Sequence, residues 1–131
     1  MKFYVASSFS NIETVRLVSE KLKTMGFIHT YDWTQHERSS TINQLSEIGR
    51  KEKEAIIEAD FLIVILPAGK GSHIEFGIAL GLGKKIYLYS PNEEVNHFET
   101  TSTFYHLPEV EICIGEIEEL IETVSLNKGL C

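Results

Sequence analysis

The 131-residue sequence predicts an α/β fold, in which helices cover both faces of a parallel β-sheet. Short apolar runs typical of strands alternate along the chain with amphipathic segments of helical period. The most hydrophobic run, 61–66, is continuously apolar, as expected for a central strand that is covered on both faces. Because no repeat or linker-like tract interrupts this alternation, residues 1–131 are predicted to form a single domain.

The elements can be placed by their spacing. Strands are expected at 3–6, 27–33, 61–66, 85–89 and 110–114, and helices at 12–25, 42–59, 72–82 and 117–124. Gly26 and Gly83 follow helical segments and are expected to terminate them. Ser10 with Glu13 has the spacing of a capping box, which predicts a helix start there. The long polar stretch 91–108 is either functional or contains a short helix.

Five strands joined by right-handed crossovers favour a flavodoxin-like (Rossmann-like) three-layer sandwich with strand order 2-1-3-4-5. In such sheets ligands bind outside the carboxyl ends of the strands, near the point where the strand order reverses. Three turns are therefore the candidate site segments: 7–11, 32–40 and 67–73.

Composition excludes several classes of protein. The chain is 43% hydrophobic and 24% charged, which is ordinary for a globular domain. A formal net charge of −7 argues against a nucleic-acid polymer as partner, because phosphate binding needs a positive field. No apolar run is long enough to cross a membrane, and the N-terminal one is too short for a signal peptide.

Cysteine and histidine usage excludes two further classes of protein. Two cysteines, Cys113 and Cys131, are too few for a disulfide-stapled secreted domain, which predicts a reducing, cytoplasmic setting. The five histidines are scattered and Cys113 has no neighbouring Cys or His, so no metal site and no cofactor are expected.

Glu75 is the first candidate catalytic residue, because it follows the most hydrophobic strand at the start of a helix. Ser72 and Glu75 have capping-box spacing, so a purely structural role is one interpretation. The alternative is a nucleophile at the mouth of the sheet, kept ionised by the helix N-terminus.

Glu52 is the second candidate, since it occupies the apolar phase of its helix. It is either a partly exposed helix residue or a buried acid whose pKa is raised by a neighbouring carboxylate, which suits a general acid. One nucleophilic and one protonated carboxyl group form the arrangement that cleaves glycosidic bonds. The sequence does not show whether the two groups meet.

Other residues in the three turns are weaker candidates. Asp32 and Trp33 could bind a hydroxylated ligand and stack on a ring, or could be an ordinary strand end. His73 could contact substrate or simply begin a helix. The segment 69–72 fails the Walker phosphate-loop pattern, although its backbone amides could hold an anion.

Four segments together resemble the nucleoside 2-deoxyribosyltransferase family and the related deoxynucleoside 5′-monophosphate N-glycosidases. They are Tyr-Val-Ala-Ser-Ser-Phe at 4–9, Glu-Ala-Asp at 58–60, Gly-Ser-His-Ile-Glu-Phe-Gly-Ile-Ala at 71–79 and Gly-Lys-Lys-Ile at 83–86. The resemblance covers about residues 2–89. The sequence departs from the family pattern in having Glu52 where Asp is usual and Ser7 where Gly is common.

The resemblance implies a flavodoxin-like fold and a homodimer or higher homo-oligomer in which a neighbouring subunit helps to complete the pocket. It implies that Glu75 attacks the anomeric carbon to form a covalent 2-deoxyribosyl intermediate, and that Glu52 assists. It also implies that the substrate is a small-molecule nucleoside or nucleotide. The residues expected to bind it are Ser7, Ser8, Phe9, Asp32, Trp33, Gly71, Ser72 and His73.

Two classes of function remain open from the sequence, besides another nucleotide-glycohydrolase chemistry on the same fold, such as cleavage of a nicotinamide nucleotide. The first is an enzyme that cleaves or transfers at the N-glycosidic bond of a (deoxy)nucleoside or nucleoside monophosphate. The second is a catalytically inactive nucleotide-binding or sensor domain on the same fold. Convergence of the Glu52 and Glu75 carboxyl groups on one cleft would favour the enzyme.

Overall fold

The computed structural model describes residues 1–35 and 39–127, and it contains one five-stranded parallel sheet. The strands are β1 (Lys2–Ser7), β2 (Ile28–His29), β3 (Phe61–Ile65), β4 (Lys85–Ser90) and β5 (Val110–Ile114). They are ordered β2-β1-β3-β4-β5, so the predicted flavodoxin-like order is confirmed. The predicted loop 32–40 includes His36, which lies outside the described residues, as does Cys131.

Four α-helices complete the sandwich: α1 (Ile12–Thr24), α2 (Ile42–Glu58), α3 (Lys70–Gly81) and α4 (Ile117–Leu126). Helix α1 packs against α4 and helix α2 packs against α3, so the sheet lies between two helical layers. None of the described helices is long and apolar enough to cross a membrane.

Strand register positions the site. β1 and β3 pair in parallel from Phe3 opposite Phe61 to Ser7 opposite Ile65. Every residue of β3 is buried, as its continuous apolar run predicts. Because the two central strands end at the same level, the turns that follow them meet at one edge of the sheet.

The second strand is shorter than the predicted 27–33. β2 is an edge strand of two residues, whose partners on β1 are Lys2 and Phe3. Beyond it the chain leaves the sheet and forms a 3₁₀ turn at Trp33–Gln35. The indole N–H of Trp33 donates to the Val5 carbonyl at 2.7 Å, which takes this aromatic residue out of the strand.

The first helix starts without the predicted capping box of Ser10 and Glu13. Ser10 lies in a 3₁₀ turn at Phe9–Asn11, and its hydroxyl is 2.7 Å from that of Ser8. Asn11 occupies the N-cap position, but its side chain makes no capping bond. Its amide instead donates to Ser7 Oγ and to the Pro67 carbonyl, which links the turn after β1 to the turn after β3.

The ends of α1 and α3 lie where the sequence predicts them. Gly26 and Gly83 have φ of 95° and 71°, the left-handed conformation that terminates a helix and that glycine favours. The Lys84 ammonium donates to the carbonyls of Ile57 and Ala59, and so caps the end of α2. The stretch 91–108 contains two 3₁₀ helices, Glu93–Asn96 and Thr103–His106, which confirms the short-helix interpretation.

Candidate active site

A cavity of about 470 Å³ opens at the carboxyl edge of the sheet, between α2 and α3. The turns after β1, β2 and β3 all contribute to it, as the switch-point rule predicts. Eight sequence-predicted residues line it: Ser7, Ser8, Phe9, Trp33, Glu52, Gly71, Ser72 and Glu75.

Glu75 reaches the cavity from the second turn of α3 and not from the first. The helix begins at Lys70 with Gly69 as its N-cap residue, two residues before the predicted start. Ser72 is therefore already inside the helix and buried, and no side chain caps this end. The predicted capping box of Ser72 and Glu75 is wrong, and the Glu75 side chain is left available for other partners.

The partner of the Glu75 side chain is Tyr4, at the middle of β1. Its hydroxyl donates to Oε2 of Glu75 at 2.6 Å and lies 3.3 Å from Oε2 of Glu52. Because both carboxyl oxygens contact one phenol oxygen, they cannot be farther apart than the sum of those distances, 5.9 Å. The two carboxyl groups thus converge on one cavity.

Burial dominates the electrostatics of this cluster. Desolvation raises the pKa of Glu75 to about 8; the hydrogen bond from Tyr4 opposes this shift, and the neighbouring Glu52 carboxylate adds to it. Burial thus opposes the ionisation of Glu75, which lies in the second turn of α3 and not in the first turn, where the sequence predicted it. Burial and the two carboxylates also raise the pKa of Tyr4, so its hydroxyl remains a donor.

The turn after β1 forms one wall of the cavity and is held by internal hydrogen bonds. Ser7 Oγ donates to the Ile65 carbonyl at 2.8 Å, and Ser8 Oγ donates to the Pro67 carbonyl at 3.2 Å. These bonds fix the first turn against the third. Phe9 lies on the same turn and is 66% exposed, with its ring centroid 5.9 Å from that of Trp33. An exposed aromatic face at a cavity is a surface on which a flat ring can stack.

Asp32 and His73 do not line the cavity. Asp32 accepts hydrogen bonds from Thr34 N and Oγ1, and so it stabilises the turn after β2. His73 Nδ1 bonds to the Gly69 carbonyl at 2.8 Å, and its Nε2 bonds to the Tyr105 hydroxyl at 2.7 Å. It lines a second cavity, of about 420 Å³, between the turn after β3 and the segment after β4.

Several residues of the site were not identified from the sequence. Tyr4 carries the one hydroxyl within the apolar run 3–6, a signal that could have been used. Gly49 and Lys53 lie on the cavity face of α2 with Glu52, at spacings of one turn. The others are Ile56, Gly69, Ile74 and Ile78. Within 1–35 and 39–127, no three His, Cys, Asp or Glu side chains come together as a metal site would require.

Comparisons with known proteins agree with this geometry. A family profile described as nucleoside 2-deoxyribosyltransferase matches residues 3–119. Among solved structures, the chain is similar to the Clostridium botulinum CMP N-glycosidase BcmB, with 20% sequence identity and a TM-score of 0.58. That similarity covers 96% of this chain and 99% of the other, and it shows a shared fold. No curated protein sequence matches.

Proposed function

Because this chain belongs to the nucleoside 2-deoxyribosyltransferase family, whose enzymes act at the N-glycosidic bond, we propose that Glu75 is the nucleophile of such a reaction. Glu52 is the proton donor, and Tyr4 holds the two carboxyl groups together. The substrate is a nucleoside or a nucleoside monophosphate. The convergence of Glu52 and Glu75 on one open cavity is the observation that supports this proposal, because a sensor domain would not need it.

The carboxyl separation favours a retaining, two-step reaction. Retaining glycosidases place their two carboxyl groups about 5–5.5 Å apart, whereas inverting enzymes need more room for a water molecule. Here the Oε2 atoms of Glu52 and Glu75 are within 5.9 Å of each other. A substrate between them would be attacked directly by a carboxylate.

In the first step, an oxygen of Glu75 forms a bond to C1′ while the bond from C1′ to the base nitrogen breaks. The electron pair of that bond leaves with the base, which takes a proton from Glu52. In the second step, either water or another base attacks C1′ and releases Glu75. The ionised Glu52 accepts the proton of the attacking group. Water as the acceptor gives hydrolysis, and a second base gives transfer.

The two carboxyl groups carry the proton that the two-step reaction requires. The raised pKa of Glu75, about 8, means that a proton is held at this carboxyl cluster near neutral pH. The Tyr4 hydroxyl donates to Glu75 and so favours the ionised form of that carboxyl group. The proposed mechanism needs the proton on Glu52, so that Glu75 attacks while Glu52 protonates the base.

The remaining cavity residues provide substrate binding. Phe9 and Trp33 offer aromatic surface for the base or the sugar ring. Ser8 lies on the turn after β1, and Gly71 and Ser72 lie in the first turn of α3. Hydroxyl groups and free amides at a helix N-terminus suit a sugar hydroxyl or a phosphate.

The assembly is proposed to be a homodimer or higher homo-oligomer. Three large apolar side chains on α2 and α3, the two helices beside the cavity, are exposed: Ile42 at 78%, Leu45 at 54% and Ile74 at 60%. A second copy that covers them would also narrow the open side of the cavity. Light scattering tests this proposal, and a monomeric mass would contradict it.

The buried, unpaired thiol of Cys113 fits a cytoplasmic location.

The proposed function is tested by incubating the protein with deoxynucleosides, ribonucleosides and their 5′-monophosphates, with and without added free bases. Chromatography then measures base release and base exchange. We expect turnover of at least one substrate and its loss in Glu75→Gln. Release without exchange indicates a hydrolase, and exchange indicates a transferase. Equal turnover by wild type and Glu75→Gln would contradict the proposal.

A further inference from the structure

Gly49 lies in the interior of α2, where glycine is unfavourable and has no conformational reason to occur. Glycine weakens a helix relative to alanine because it loses more backbone entropy on folding. Its φ is not in the left-handed region, and a Cβ built at this position meets nothing within 4 Å. Neither the backbone nor the packing of this chain therefore requires a glycine here.

Of the open glycines that line the cavity, Gly71 lies in the first turn of α3, whereas Gly49 lies in the interior of its helix. It lines the 470 Å³ cavity together with Glu52 and Lys53, which follow one turn later on the same face of α2. The space next to its Cα is thus the cavity itself. Gly81, in the last turn of α3, also has open space around it, but it does not line that cavity.

The geometry indicates which part of a substrate would lie there. Helix α2 ends next to the start of β3, so its N-terminal half points to the carboxyl edge of the sheet, where the cavity opens. A base that takes a proton from Glu52 must be within hydrogen-bonding reach of that side chain. From Glu52 toward the opening, the next turn of the helix presents Gly49. The outer edge of the base would therefore pass over bare backbone.

Lys53 adds a chemical requirement to this shape. Lys53 lines the same cavity, and its ammonium group can only donate hydrogen bonds. The edge of the base that faces it must offer an acceptor, and an exocyclic carbonyl oxygen is the strongest acceptor that nucleobases carry. Cytosine, uracil, thymine and guanine have such an oxygen, whereas adenine does not.

Building on the proposed function, we propose that Gly49 is the specificity-determining residue of the base subsite. Its missing side chain admits the edge of a nucleobase, and Lys53 donates to a carbonyl oxygen on that edge. The helix accepts the less stable glycine because any side chain at this position would occupy the base subsite.

Calorimetric titration of nucleosides into Glu75→Gln tests this without depending on turnover. Adding Gly49→Ala is expected to weaken nucleoside binding by about tenfold, the cost of a single misplaced methyl group in a pocket. Adding Gly81→Ala, the matched control, leaves the Kd unchanged. Gly49→Ala raises the melting temperature by about 3 °C, because alanine favours the helix. Lys53→Met weakens binding of cytosine or guanine nucleosides and leaves that of adenine nucleosides unchanged.

An unchanged Kd in Gly49→Ala would overturn the proposal, as would a loss of oligomeric mass in that variant, which would make Gly49 an interface residue. The proposed function has a separate readout in the same series. It fails if wild type and Glu75→Gln turn over substrate equally, whatever the Gly49 variants bind.

Discussion

The Tyr4 hydroxyl lies 2.6 Å from Oε2 of Glu75, and it connects the central strand β1 to the candidate nucleophile on α3. Tyr4 is fully buried, so its ring is fixed by the core while its hydroxyl contacts the carboxyl group of Glu75, a residue that lines the cavity. The same oxygen contacts Glu52 from α2. One side chain of the core thereby sets the relative position of two carboxyl groups that come from different helices.

Tyr4→Phe is expected to lower kcat by about 10- to 100-fold, the cost of losing a hydrogen bond to a charged group. The Tyr4 hydrogen bond lowers the pKa of Glu75, so without it the shared proton moves toward Glu75 and masks the nucleophile. Steady-state kinetics measure the effect.

Tyr89→Phe is the matched control, since it removes a buried hydroxyl that donates to the Gly115 carbonyl outside the cavity. Both variants keep the aromatic ring and should lose similar stability. If Tyr4→Phe and Tyr89→Phe had the same kcat, Tyr4 would be only a structural residue.

The value of kcat/KM, which reports the ionisation of the free enzyme, is expected to fall on the alkaline side near pH 8. Above the pKa of about 8 that burial gives Glu75, the last shared proton leaves and no proton donor remains. At low pH a second proton binds and neutralises the nucleophile, so the profile is bell-shaped. In Tyr4→Phe the alkaline limb should move to higher pH, since the hydrogen bond that lowers this pKa is gone. Activity that continued to rise above pH 8 would contradict the shared proton.

Glu52→Gln is expected to lower kcat by about 10²- to 10⁴-fold, the usual contribution of a general acid. The amide cannot donate a proton to the departing base, so the loss should be largest for bases that leave poorly. Glu54→Gln is the control, because Glu54 lies on the same helix and pairs only with Arg50 at the surface. A uniform loss across all bases would show that Glu52 positions substrate and does not protonate it.

Lys84→Met is expected to lower the free energy of unfolding by about 1–3 kcal/mol, because it leaves the carbonyls of Ile57 and Ala59 without their charged donor. Urea denaturation measures the change. Lys23→Met, which loses an exposed ion pair with Glu20, should cost much less. Equal losses in both variants would mean that the lysine of the Gly83-Lys84 pair does not cap α2.

Much of the fold follows from the sequence because its signals are local. The apolar run that forms β3 and the glycines that end α1 and α3 act through their own backbone and burial. Edge strand β2 was predicted too long because a non-local bond, from the Trp33 indole to the Val5 carbonyl, removes its second half from the sheet. The start of α3 was misplaced because Gly69 begins the helix without a polar cap.

Most residues of the candidate site could be predicted from the sequence, whereas the pKa of Glu75 could not. Strand order alone brings the turns after β1 and β3 together, and it places Glu75 and Glu52 on the two helices that cover them. The pKa of Glu75 depends on three-dimensional burial, which no local pattern encodes. In the sequence Tyr4 cannot be distinguished from the other core aromatic residues, because only the fold shows where its hydroxyl points.

The most direct test of Glu75 as a covalent nucleophile is mass spectrometry of the protein after reaction with a 2′-fluorinated nucleoside, on which the second step is slow. We predict that the mass increases by one fluorinated deoxyribosyl group, that the label maps to Glu75 after digestion, and that Glu75→Gln acquires none. A protein that turns over substrate while the label is absent, or lies on Glu52, would contradict the proposed mechanism.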